Sequence, residues 1–251
     1  MAVKTFFISL LNYFHAIAFL IKNKLWKYFL IPGLISIVLI LILFIAGGTF
    51  SGDISGFLMD NIFSAGDNYV IKVLLNIFIA LVIFALGLLI YRPLALILLA
   101  PFLSVLSEKT EKIISNETSL VSQGAFFKDL QRSIRINIRY FLFAAFYSLG
   151  AIASGLLPVV GAVLSTFLLF LIQAYYGGGA LADIILERRG LAVKERLQFI
   201  KDNRFLIIGS GSGFLLLLFI PIIGWFIAPG LGTVATTMSL IRPSIKSLSQ
   251  S

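Results

Sequence analysis

The sequence predicts an all-α integral membrane protein, built from two long transmembrane helices, two apolar helical hairpins and amphipathic helices lying in the interface. Three observations carry this. Apolar residues make up 59% of the chain and charged residues only 12%, about half the charged share of an ordinary soluble domain, and mean hydropathy is +1.04. Residues 140–182 and 205–241 contain no Asp, Glu, Lys, Arg or His. Each of these runs is broken near its middle by the same motif, Pro158-Val159-Val160-Gly161 and Pro221-Ile222-Ile223-Gly224. Proline lacks the amide proton a helix interior needs, and glycine accepts tight-turn dihedrals. Inside lipid the backbone must satisfy its own polar groups, so such runs fold as helices.

In chain order, residues 5–27 read as an interfacial helix. Phe7, Leu10, Phe14, Ile17 and Ile21 share one side, with Ser9, Asn12 and His15 elsewhere. Asn12, Tyr13 and His15 interrupt the apolar run and argue against a cleaved signal. Residues 28–48 are a first transmembrane helix, with Pro32 in its first turns and Gly47-Gly48 ending it. A polar connection with Asp53, Asp60 and Asp67 follows, with a short surface helix over 57–63. Residues 73–106 exceed one perpendicular crossing, and their single charge, Arg92, precedes Pro93. A long tilted helix or a kink at Arg92-Pro93 accounts for this. Residues 125–139 carry an apolar stripe (Phe127, Leu130, Ile134, Ile138) beside a basic one (Arg132, Arg135, Arg139), the pattern of a second interfacial helix. The hairpins occupy 140–182 and 205–241, with a charged helix over 183–204 between them.

The hairpin arm 205–220 rises ~24 Å, short of the ~30 Å hydrocarbon core. Full crossing and partial insertion both remain open from length. Among the polar segments, 49–72 is the acidic one, with Lys72 its single basic residue. The positive-inside rule puts it outside and the other polar segments, with both termini, in the cytoplasm. The whole chain is then one multi-pass membrane domain.

The net charge of +9 would suggest nucleic acid in a soluble protein. Here basic residues collect at the cytoplasmic face, so membrane lipids are the expected partners and nucleic acid is not. With no cysteine there is no disulfide, thiolate site or cysteine nucleophile. His15 has no carboxylate cluster beside it, so no metal is expected. No Ser-His-Asp set, Cys-His pair, phosphate loop or intramembrane carboxylate dyad is present, which argues against an enzyme or a cofactor.

The candidate residues serve anion binding or structure. Lys24 and Lys27 flank Leu25 at the mouth of the first span, as an anion-attracting pair or as anchors snorkelling to headgroups. Arg92 lies within an apolar stretch, where a charge faces a cavity or a partner, or snorkels. Asp183 reads as a surface carboxylate near the basic helix 183–204, with a proton-coupling group or the partner of a basic residue as the alternatives. Gly177-Gly178-Gly179 and Gly209, Gly211 and Gly213 permit close helix contact or end a helix. Pro158, Gly161, Pro221 and Gly224 read as structural hairpin turns, whose amides near the bilayer middle can also donate to an anion.

Several segments together resemble the CysZ sulfate permeases and the wider etoposide-induced-protein domain family. They are Leu25-Trp26-Lys27-Tyr28-Phe29-Leu30-Ile31-Pro32, Ala100-Pro101-Phe102 with Leu106-Ser107-Glu108-Lys109, the two Pro-x-x-Gly turns, Asp183, and Ala228-Pro229. The resemblance covers roughly residues 5–242. It implies two long transmembrane helices, two helical pairs that penetrate the bilayer partly, a homo-oligomer, and sulfate uptake across the inner membrane for cysteine biosynthesis. Distant members read as non-transport scaffold or envelope-stress proteins, the alternative function. The chain departs from the permeases just before the first span. They carry a glycine, an aliphatic residue and arginines, where this chain has Lys24, Leu25, Trp26 and Lys27. Lysine keeps a point charge but loses the bidentate fork of arginine. The family's aspartate-tyrosine-proline segment likewise reads Asp183-Ile184-Ile185.

Overall fold

A computed structural model describes residues 2–61, 69–115, 126–155, 157, 160–220 and 222–241. The chain is an all-α, multi-pass membrane protein. Its helices are α1 (Ala2–Lys22), α2 (Leu30–Asn61), α3 (Tyr69–Ser115), α4 (Phe126–Ser154), α5 (Gly161–Arg188), α6 (Val193–Asp202), α7 (Arg204–Leu218) and α8 (Ile223–Ile241), with a 3₁₀ turn over Leu25–Phe29. Among the described residues, six helices are long and apolar enough to cross a bilayer; α7 is apolar but shorter.

Several boundaries differ from the sequence expectation. The helix begun at Leu30 does not stop at Gly47-Gly48 but runs to Asn61. Two glycines cost about 2 kcal/mol of helix propensity together, too little to break a helix whose amides have no better partner in lipid. α3 is a single helix of 47 residues passing through Pro93 and Pro101. The amphipathic segment and the first hairpin arm are one helix, α4. α5 continues past its three glycines to Arg188, and the separate charged helix begins only at Val193.

The chain divides into two compact units, residues 1–34 with 96–251, and residues 35–95. In the smaller unit α2 and α3 pack through small residues. A Cβ on Gly87 would lie 3.3 Å from Leu43, and one on Gly47 would lie 3.8 Å from Ile83. Tyr91 and Ser36 are both buried in this unit. Leu41, Ile42, Phe44 and Ile45 are exposed, as lipid-facing residues are.

In the larger unit α7 is the central helix, packed against α1, α5 and α8, while α4 packs on α5. Backbones meet at glycines. A Cβ on Gly211 would collide with the Ala174 carbonyl, one on Gly178 with the Ile207 carbonyl, and one on Gly209 with the Phe6 carbonyl. Lipid tails are as apolar as leucine, so helices gain little by burying leucine against each other and associate through small and polar residues. The interior follows that rule. Ser107, Thr110, Ser210, Ser212, Thr233, Thr236 and Thr237 are buried, while Val163, Phe167, Phe219 and Ile223 are exposed. α1 shows the same inversion. Phe7, Phe14, Ile17 and Ile21 point outward; Ser9, Asn12, Tyr13, Ala16 and Leu20 are buried. Asn12 donates to Ser239 Oγ at 2.8 Å, and the Tyr13 hydroxyl donates to the Ser210 carbonyl at 2.5 Å.

Candidate functional site

At the mouth of the first span, α1 ends with Asn23 and Lys24. The Asn23 amide donates to the Phe19 carbonyl at 3.0 Å and the Lys24 amide to the Ile21 carbonyl at 3.2 Å. Lys24 has φ 54°, in the left-handed region, where a glycine usually follows a helix end. Leu25 is 5% exposed and anchors the 3₁₀ turn, which packs on α1 and α8. Lys24, Trp26 and Lys27 are exposed. Neither lysine forms an ion pair among the described residues. Lys109 Nζ sits 4.7 Å from the centre of the Tyr28 ring, which adds a third cation to this surface. Arg92 belongs to the other unit. It lies within α3, and its side chain lies outside the described residues.

Both hairpin turns open where the sequence places them, between α4 and α5 and between α7 and α8. Pro158 and Pro221 lie outside the described residues. Gly161 and Gly224 are both buried, and among the described glycines only Gly190 has a positive φ. The requirement for glycine here is therefore close approach, not the left-handed dihedral. A Cβ on Gly161 would lie 2.7 Å from the Gly155 carbonyl oxygen, and one on Gly224 would strike the Leu217 carbonyl. Trp225 Nε1 closes the second turn on the Leu218 carbonyl at 2.8 Å. Ile222 supplies the left-handed residue instead, at φ 63°.

A network of acidic and basic side chains sits where α5 turns into α6. Arg196 Nη1 lies 3.3 Å from Asp183 Oδ2 and 3.1 Å from Glu187 Oε2. Arg188 and Arg189 both engage Glu111 of α3, the latter at 2.7 Å. Asp183 and Arg196 are buried, so each charge depends on its partner. Asp183 is thus not the surface carboxylate the sequence suggests: helix packing buries it, and it pairs with a basic residue, one of the alternatives. The turn is shaped by Gly190 at φ 81°, whose amide donates to the Glu187 carbonyl at 2.8 Å. Glu195 reaches back to the Ala192 amide at 2.8 Å and starts α6. A cleft of about 550 Å³ opens beside this turn, lined by Arg135 and Arg139 of α4 with Glu187, Gly190, Val193 and Arg196. Arg135 and Arg139 belong to the basic stripe visible in the sequence, whose spacing does not join them to α6. The i, i+4 spacing of Asp183 and Glu187 was the available signal, since it puts both carboxylates on one helix face.

A family model described as sulfate transporter CysZ/etoposide-induced protein 2.4 matches residues 12–229. No curated protein matches the chain.

Proposed function

Because the chain belongs to the CysZ/etoposide-induced protein 2.4 family, we propose that it moves a small inorganic oxyanion, sulfate, across the inner membrane. The family match over 12–229 carries this reading. The basic surface at the mouth of the first span supports it, since exposed Lys24 and Lys27 concentrate anions from solution. Lysine holds sulfate as a point charge, so selectivity at this mouth is weaker than an arginine fork gives. Leu25 orients the pair by anchoring the turn, and Arg92 is a further candidate cation of the same reading. No step in this reading makes or breaks a covalent bond.

Both termini are cytoplasmic in this reading, and the second hairpin enters the bilayer part way. α7 has 15 residues and rises ~22 Å, short of the ~30 Å hydrocarbon core. Its buried turn is compatible with lipid because protein surrounds it. Several copies assemble around the hairpins, as in the resemblance.

Purified protein in liposomes tests the proposal. Labelled sulfate enters faster than into empty liposomes, and changing both Lys24 and Lys27 to Ala lowers the rate several-fold. Uptake equal to empty liposomes, with folded protein present, would favour the second reading, a membrane scaffold without transport. The same family description supports that reading, because it also names an etoposide-induced protein.

A further inference from the structure

The outer face of α4 carries a second cleft, of about 640 Å³, lined by Arg135, Ile138, Arg139, Leu142, Phe143 and Phe146. It shares both arginines with the polar cleft beside the α5–α6 turn. Arg188, Arg189 and Arg196 are each paired with a carboxylate. Arg135 and Arg139 have no such partner among the described residues, and both are exposed. The Arg139 guanidinium lies 5.6 Å from the centre of the Phe143 ring, which seats it over the top of the apolar groove.

We infer that α4 holds an anionic phospholipid, its phosphate between Arg135 and Arg139, its headgroup in the polar cleft and one acyl chain along Ile138, Leu142 and Phe146. Charge complementarity selects the occupant. Two unpaired cations one turn apart meet a phosphate diester, and the wall below them is apolar. Length agrees as well. From Arg135 to Phe146 the helix rises ~16 Å, close to the ~15 Å depth of one leaflet's hydrocarbon. The arginines stand where the charge-free part of α4 begins, at Tyr140, which is the depth of lipid phosphates. A free sulfate or phosphate would use the arginines but leave the apolar groove unexplained.

Native mass spectrometry of the detergent-purified protein, given equal amounts of phosphatidylglycerol and phosphatidylcholine with identical chains, tests this. The wild type retains phosphatidylglycerol with a preference on the order of tenfold. Arg135→Gln with Arg139→Gln brings the ratio near one, whereas Arg204→Gln, an exposed arginine on α7, leaves it unchanged. Equal retention of the two lipids by the wild type, or a preference that survives in the double variant, overturns the proposal. So does displacement of phosphatidylglycerol by sodium sulfate at physiological ionic strength, which assigns the arginines to a free oxyanion. Both arginines are exposed, so the double variant folds, and its thermal unfolding confirms that before the lipids are counted.

Discussion

At the scale of single residues, Lys24 and Arg196 are the informative positions. Lys24 occupies a left-handed backbone at φ 54°, which costs a side chain about 1 kcal/mol. Lys24→Gly therefore raises stability by about 1 kcal/mol in thermal unfolding, and if the lysine draws anions, sulfate uptake falls in the same variant. A stabilised protein with unchanged uptake removes Lys24 from the proposed site. Arg196 is the shared partner of Asp183 and Glu187. Arg196→Ala leaves two carboxylates uncompensated in a low-dielectric setting and destabilises by about 3–5 kcal/mol. Restoration by an accompanying Asp183→Asn change, measured as a double-mutant cycle, checks that the loss is electrostatic. The sequence shows these residues as charges but not as partners. Glu111 and Arg188 are far apart along the chain, and nothing in their local spacing announces the pair.

Elements here are joined by backbone contact, and the glycines decide where. Gly211 meets Ala174, and Gly178 meets Ile207, each at a carbonyl. Adding a methyl at either position must push α5 from α7. Gly211→Ala costs about 1–3 kcal/mol and lowers the unfolding temperature. Gly48→Ala, where a Cβ meets nothing within 4 Å, has a small effect of either sign. Gly224→Ala behaves like Gly211→Ala because the Leu217 carbonyl blocks the new Cβ. The two breaks between paired helices were legible in Pro-x-x-Gly. The role of the glycine was not, because sequence suggests a dihedral need and only packing reveals a carbonyl in the way. The end of α2 was misread for a related reason. Gly47-Gly48 looks like a stop, yet glycine in a lipid-facing helix has no solvent to release its amides to.

Across the whole molecule serine, threonine and glycine share the interior with leucine, while most of the described phenylalanines that are not buried, such as Phe44, Phe167 and Phe219, face outward. Topology is the property to test at this scale. The chain has no cysteine, so a single introduced one reports its side of the membrane. A membrane-impermeant maleimide applied outside intact cells labels Asp53→Cys and spares Ala192→Cys, both exposed positions. The reverse pattern would overturn the cytoplasmic placement of the α5–α6 turn and the transport orientation with it. Composition and the long charge-free runs were enough to determine a helical membrane protein with two hairpins, because backbone groups in lipid have few ways to be satisfied. Tertiary structure alone decided which face of each helix is inside. In water the apolar face turns inward, but in lipid leucine gains little by hiding from a solvent like itself, so amphipathic periodicity does not tell which side meets protein. Structure also decided which charges meet, since an ion pair depends on distance through space between segments that the chain keeps far apart.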